Sequence, residues 1–117
     1  IIGSGSTFAT IDTVSGFKAA GADVFKTGTA ATTLNALSIA NADIATLAAA
    51  IQTAATAAGA ALANTNTQAY IITVSAGTAA GTYAFQNLGS NTTVDSADFI
   101  VKLTGTTGSI VAGDFIA

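Results

Sequence analysis

The side chains of this chain that could do chemistry are six aspartates, three lysines, two tyrosines and the hydroxyls of serine and threonine. Their densest grouping is Asn91-Thr92-Thr93-Val94-Asp95-Ser96-Ala97-Asp98. Asn, Asp and Ser along one tight loop can turn several oxygens toward a common centre, which is what calcium requires. Asn91, Asp95 and Asp98 are therefore candidate calcium ligands, although a calcium loop normally carries more carboxylates and a closing Glu. The plain alternative is an Asx-turn loop in which Asp98 bonds nearby backbone amides. Asp12 and Asp23 flank a turn-rich segment and are further candidates for a hard cation, or for capping that turn. Ser15 and Lys18 stand three apart, but nothing about that spacing on a strand edge makes a catalytic dyad.

The absences exclude more. Glu, Arg, His, Cys, Met, Trp and Pro do not occur in the 117 residues. Without Cys or His there is no ordinary zinc, copper or iron–sulfur site. The commonest general base is missing too, and with it any Ser-His-Asp or Cys-His triad. Three scattered lysines and a net charge of −3 offer no surface for displacing counterions from nucleic acid. No nucleic-acid partner is expected, and no catalysis.

The elements that must position these groups are built from small residues: 28 alanines, 20 threonines and 12 glycines. The length suits one domain across residues 1–117, and a charged fraction of 8% is the opposite of a disordered composition. Solubility then rests on hydroxyls and amides, as in an extracellular protein. Residues 1–5 have neither the basic nor the apolar segment of a signal peptide, and the chain begins as a fragment of a longer protein would. Residues 44–63 carry no charge, yet alanine adds little transfer energy and no anchors flank the run, so no membrane span is expected.

Residues 8–25 read as short strands with a turn, followed by a connecting loop over residues 26–33. A helical turn is expected over residues 33–38. The clearest element is a long Ala-rich helix, with Asn41 as its N-cap and Asp43 in its first turn. Ile44, Leu47, Ile51, Ala55, Ala58 and Leu62 form its apolar stripe, and Asn64-Thr65-Asn66 closes it. From Ala69 the period falls to two, giving strands over residues 69–74, 82–86 and 99–104, with Ile110-Val111 and Phe115-Ile116 ending the chain. The expected fold is α+β, an antiparallel or mixed sheet packed against one long helix.

Two stretches resemble a known family. Thr10-Ile11-Asp12-Thr13-Val14-Ser15-Gly16-Phe17-Lys18 with Gly21-Ala22-Asp23-Val24-Phe25 looks like the unit that follows calcium-binding repeats in RTX-type proteins. Gly81-Thr82-Tyr83-Ala84-Phe85, then Asp98-Phe99-Ile100-Val101-Lys102-Leu103-Thr104-Gly105 and the closing Gly113-Asp114-Phe115-Ile116-Ala117, is similar to the carboxyl-terminal domains of bacterial S-layer and RTX proteins exported by type I secretion. The resemblance implies a non-catalytic structural and export module, secreted to the cell surface. It implies an ABC transporter as partner, reading Asp114, Phe115, Ile116 and Ala117 as a signal, with a surface glycan or self-assembly as further partners. The resemblance implies calcium as the cofactor of neighbouring repeats; no G-G-x-G-x-D repeat stands in this chain, so calcium within it would rest on Asp12, Asp23, Asn91, Asp95 and Asp98. Removing residues 114–117 is expected to abolish export and leave the core intact. The rival readings are an adhesin or ice-binding module, which would need regular Thr-x-Thr rows, and a fragment of a secreted hydrolase, which would need Asp12, Asp23 or Asp98 in one cleft.

Overall fold

The computed structural model describes residues 1–3, 5–59 and 66–117. Among these residues the fold is mixed α/β, with two sheets, mostly strands, and one short helix. The larger sheet has the order β2-β7-β6-β5-β4 and holds β2 (Asp12–Ser15), β4 (Thr33–Ile39), β5 (Gln68–Val74), β6 (Gly81–Gln86) and β7 (Phe99–Thr104). The smaller sheet, of three two-residue strands, has the order β1 (Ile2–Gly3), β3 (Phe25–Lys26), β8 (Phe115–Ile116). It was not foreseen, since two-residue strands carry no periodicity.

The expected strands β5, β6 and β7 are present, with β6 antiparallel to the neighbour on either side. Their apolar runs are nearly continuous because both faces of this sheet are covered. On β6 and β7, Tyr83, Phe85 and Ile100 enter one core cluster, and the alternate residues Ala84, Phe99 and Val101 enter the other. The first cluster packs under the helix with Leu37, Ile39, Leu47, Ile51 and Ala55. The second holds Phe17, Phe25 and Phe115 against the short side chains of Ala69 and Ala84.

Two expectations about the middle of the chain are corrected. Thr33–Ile39 is the strand β4 rather than a helical turn, and all seven of its residues run parallel and in register with Gln68–Val74. Pairing along a whole strand outweighs a weak local preference. The helix is also shorter than expected. A 3-10 turn at Ile44–Thr46 leads into α1, Leu47–Ala57, only eleven residues long. Gly59 adopts φ +68, the left-handed conformation that ends helices, and its amide donates to the Thr56 carbonyl. Leu47, Ile51 and Ala55 are buried as expected, but Ile44 and Ala58 are exposed, and Leu62, Asn64 and Thr65 lie outside the described residues. No helix among the described residues is long and apolar enough to cross a membrane.

The start of the helix is capped from a distance. Asp43 rather than Asn41 stands at the N-cap of the 3-10 turn that leads into α1, whose own N-cap is Thr46, and the Asp43 carboxylate accepts from the Thr78 amide (3.0 Å) and hydroxyl (3.3 Å). The Thr78 hydroxyl in turn accepts the Ile44 amide at 3.0 Å. This contact forces the 75–80 turn against Ala42. At Gly77, with φ +93, an added Cβ would run into the Ala42 carbonyl and lie 2.6 Å from Asn41 Oδ1. Gly77→Ala should therefore cost roughly 2–4 kcal/mol, through both backbone strain and collision with a rigid carbonyl. Urea unfolding of the two proteins measures it; a loss below 1 kcal/mol, taken with roughly the same m-value, would disprove the tight approach.

Candidate functional site

The loop of residues 87–98 leaves β6 and returns to β7, and it is bound to the helix by one side chain. Gln52 of α1 accepts the Val94 amide through Oε1 (2.7 Å) and donates through Nε2 to the Thr92 carbonyl (3.3 Å). Val94 is thereby buried in the helix-side core. Asn91, Asp95 and Asp98 do come together in this loop. Their oxygens are turned to the loop's own donors. Asn91 Oδ1 accepts from the Thr93 amide (2.9 Å), Asp95 Oδ1 from the Ala97 amide (2.9 Å) and Asp95 Oδ2 from Asn91 Nδ2 (3.0 Å). Asp98 Oδ1 accepts from the Leu88 amide (2.8 Å) and Oδ2 from the Asp95 amide (2.9 Å). This is the Asx-turn arrangement, and what it accomplishes chemically is to fix a loop.

Asp98 is 1% exposed. Burial pushes its carboxyl up to about 6 from 3.8, outweighing the amides of Asp95 and Leu88, which pull it down; the neighbouring Asp95 carboxylate adds to the rise. A value raised by folding means that the folded state holds this proton more tightly. The resulting stabilisation is complete below about 3.8 and lost as the pH rises through about 6. Between pH 7 and pH 4.5, wild type should gain on the order of 2 kcal/mol relative to Asp98→Asn, which cannot titrate. Denaturant unfolding of both proteins at the two pH values is the check. An equal response to pH in the two proteins would contradict it.

The other calcium candidates lie apart from this loop. Asp23 Oδ2 accepts the Lys18 amide at 2.8 Å, and the Asp23 amide returns a bond to the Lys18 carbonyl, closing the turn of residues 18–23. Asp12 opens the edge strand β2 with its side chain exposed. Its amide donates to the Ser6 hydroxyl, which donates to the Ile100 carbonyl. Among the described residues, no group of three or more acidic side chains is placed to hold a metal ion.

The closing residues behave differently from a loose tail. Asp114 and Phe115 are each 1% exposed. Asp114 accepts amides from Val111 (2.9 Å), Ala20 (3.3 Å) and Gly21 (3.2 Å), the last 93 residues away in sequence. Ala20 and Gly21 have φ of +64 and +97, which aims their consecutive amides at this carboxylate. Phe115 packs against Phe25 with ring centroids 4.9 Å apart. The two stretches that carry the family resemblance thus meet in one place, the 18–23 turn beneath Asp114 and β3 beside β8. Because Phe115 is part of the core, the expectation that residues 114–117 can be removed without harm to it is corrected.

One polar centre escaped the sequence reading. Gln86 is wholly buried at the end of β6. It accepts the Thr27 hydroxyl (2.6 Å) and donates to the carbonyls of Thr29 and Asn66, both at 2.8 Å. An amide at the end of the apolar run Tyr83-Ala84-Phe85 is the signal that could have marked it. With Thr27 it joins the start of the β3–β4 connection to the entry of β5, so it is a structural tie.

Compared with protein-family models, with curated proteins and with solved structures, the chain matches none of them.

Proposed function

We propose that the chain is a non-catalytic structural and export module of a secreted bacterial surface protein of the S-layer or RTX kind. Asp114, Phe115, Ile116 and Ala117 are the residues a type I exporter would read. The observation that carries this reading is the meeting of the two resembling stretches, with Asp114 seated on the 18–23 turn and Phe115 on Phe25. The carboxylates of the module support it as well: Asp23, Asp43, Asp95, Asp98 and Asp114 all accept bonds that brace turns. An exporter that threads an unfolded chain reads the four closing residues before the core forms, and folding outside the cell then withdraws Asp114 and Phe115.

Export of a reporter fused ahead of the chain tests this, with folding separated from reading. Phe25→Ala severely weakens folding and keeps residues 114–117, so it should still leave the cell through a type I exporter. A chain lacking residues 114–117 should be retained. Equal export of both, or of neither, would overturn the reading. Thermal unfolding with calcium and then with chelator tests cation binding in this module; an identical melting temperature in both removes calcium from the proposal.

A further inference from the structure

The two edges of the five-stranded sheet are managed differently. The β2 edge is four residues long, begins with the charged Asp12 and is followed by Lys18. Short length and charge are the usual guards against unwanted strand pairing. The β4 edge is seven residues long and has neither guard, and residues 27–42 contain no charged side chain and no proline.

The backbone of β4 is half satisfied. The Thr33 amide donates to Thr67, and the Ile39 carbonyl accepts from Ser75, so the odd-numbered residues face β5. In a parallel ladder the alternate residues face the other way. Leu34, Ala36 and Ser38 therefore direct their N–H and C=O groups outward, and no described residue pairs with them. Shallow troughs flank this edge on both faces of the sheet. One, of about 380 Å³, lies among Leu34, Ala36, Ile71 and Ile110. The other, of about 410 Å³, runs between Ile39 and the outer face of α1, lined by Ala50, Thr53, Ala54 and Ala57. Among the described residues, no ionisable group lines either trough.

We propose that β4 is the pairing edge of a two-fold dimer, in which the β4 strands of two copies run antiparallel about Ala36 and join two five-stranded sheets into one. The occupant is a second copy because this edge selects an uncharged strand and, of the two edge strands of this sheet, β2 begins with Asp12 whereas β4 alone is free of charge, so the uncharged edge that the sheet offers to β4 is β4 itself. The match is self-complementary. Ala36 faces Ala36, and Leu34 of each copy faces Ser38 of the other, each pair exchanging two backbone hydrogen bonds. A two-fold axis normal to the sheet keeps both helices on one face. The alanine and threonine face of α1 then meets its own counterpart, and short side chains let the two backbones approach closely.

The absence of cysteine from the chain gives a clean test. Opposed residues of a bonded antiparallel pair have Cα atoms about 5.5 Å apart, within disulfide range. Under mild oxidation, Ala36→Cys should form a covalent dimer at least ten times faster than Thr13→Cys on the β2 edge. By light scattering, the wild-type mass should rise from 11.3 kDa toward twice that value with concentration. Ala36→Lys, at an exposed position, should keep its circular dichroism and remain monomeric, because it sets two like charges face to face. Wild type that stays monomeric at every concentration, or cysteines that crosslink equally at both edges, would overturn the dimer. So would a ladder of higher masses, which would mean that β4 pairs head to tail with the β2 edge.

Discussion

Chains ending at Gly113 are expected to lose cooperative unfolding altogether. Phe115 is almost completely buried and sits in a cluster with Phe17, Phe25 and Phe99. Emptying such a site costs about 3–5 kcal/mol. The same cut removes β8. The Phe115 and Ile116 carbonyls then no longer receive the amides of Ala31 and Thr27, and β3 loses the partner on one of its two sides. The loss of Asp114 also releases the Val111 amide and the turn at Ala20 and Gly21, although those two residues are exposed enough for water to replace part of the bond. Set against a total stability of about 5–15 kcal/mol, these losses leave little margin. Near-ultraviolet circular dichroism and a urea titration would show it. A truncated chain with a native spectrum and a sigmoidal transition would refute the claim that the tail is part of the core.

Phe25→Ala is expected to be the most damaging single side-chain truncation. The Phe25 ring lies parallel to Phe17 at 4.2 Å and also contacts Phe115 at 4.9 Å and Phe99 at 5.6 Å. Its strand is the central one of the small sheet, so it joins the N-terminal and C-terminal segments. The cavity costs about 3–5 kcal/mol, and each lost ring pair adds about 0.5–1.5 kcal/mol. A fall in melting temperature of roughly 15 °C or more follows for a chain of this size. Phe25→Leu keeps much of the volume without the ring geometry and should lose less than half as much. Equal losses for the two variants would mean that the stacking contributes nothing beyond the area it buries.

Several features of the fold were legible locally. Tyr83-Ala84-Phe85 and Phe99-Ile100-Val101 signal strands because a sheet covered on both faces demands apolar residues at successive positions. The Asx loop at residues 91–98 was legible too, since its donors and acceptors are near neighbours. The helix was read too long because alanine spacing continues through Gly59, whereas the left-handed glycine ends it. β4 was misread because Thr33-Leu34-Asn35-Ala36 has no strong preference of its own; its partner β5 decides its conformation. Gln86 was missed because its value depends on Thr27, Thr29 and Asn66 arriving from elsewhere.

By itself the sequence determined which side chains these 117 residues lack and where the antiparallel strands run, because both depend on residue type and short-range period. The tertiary structure alone decided the parallel pairings β2–β7 and β4–β5, the second sheet, and the seating of Asp114 on a turn 93 residues distant. Those contacts join segments far apart in the chain. Local periodicity carries the face that a residue must bury but not the partner that will cover it, and only closure of the chain brings the two together.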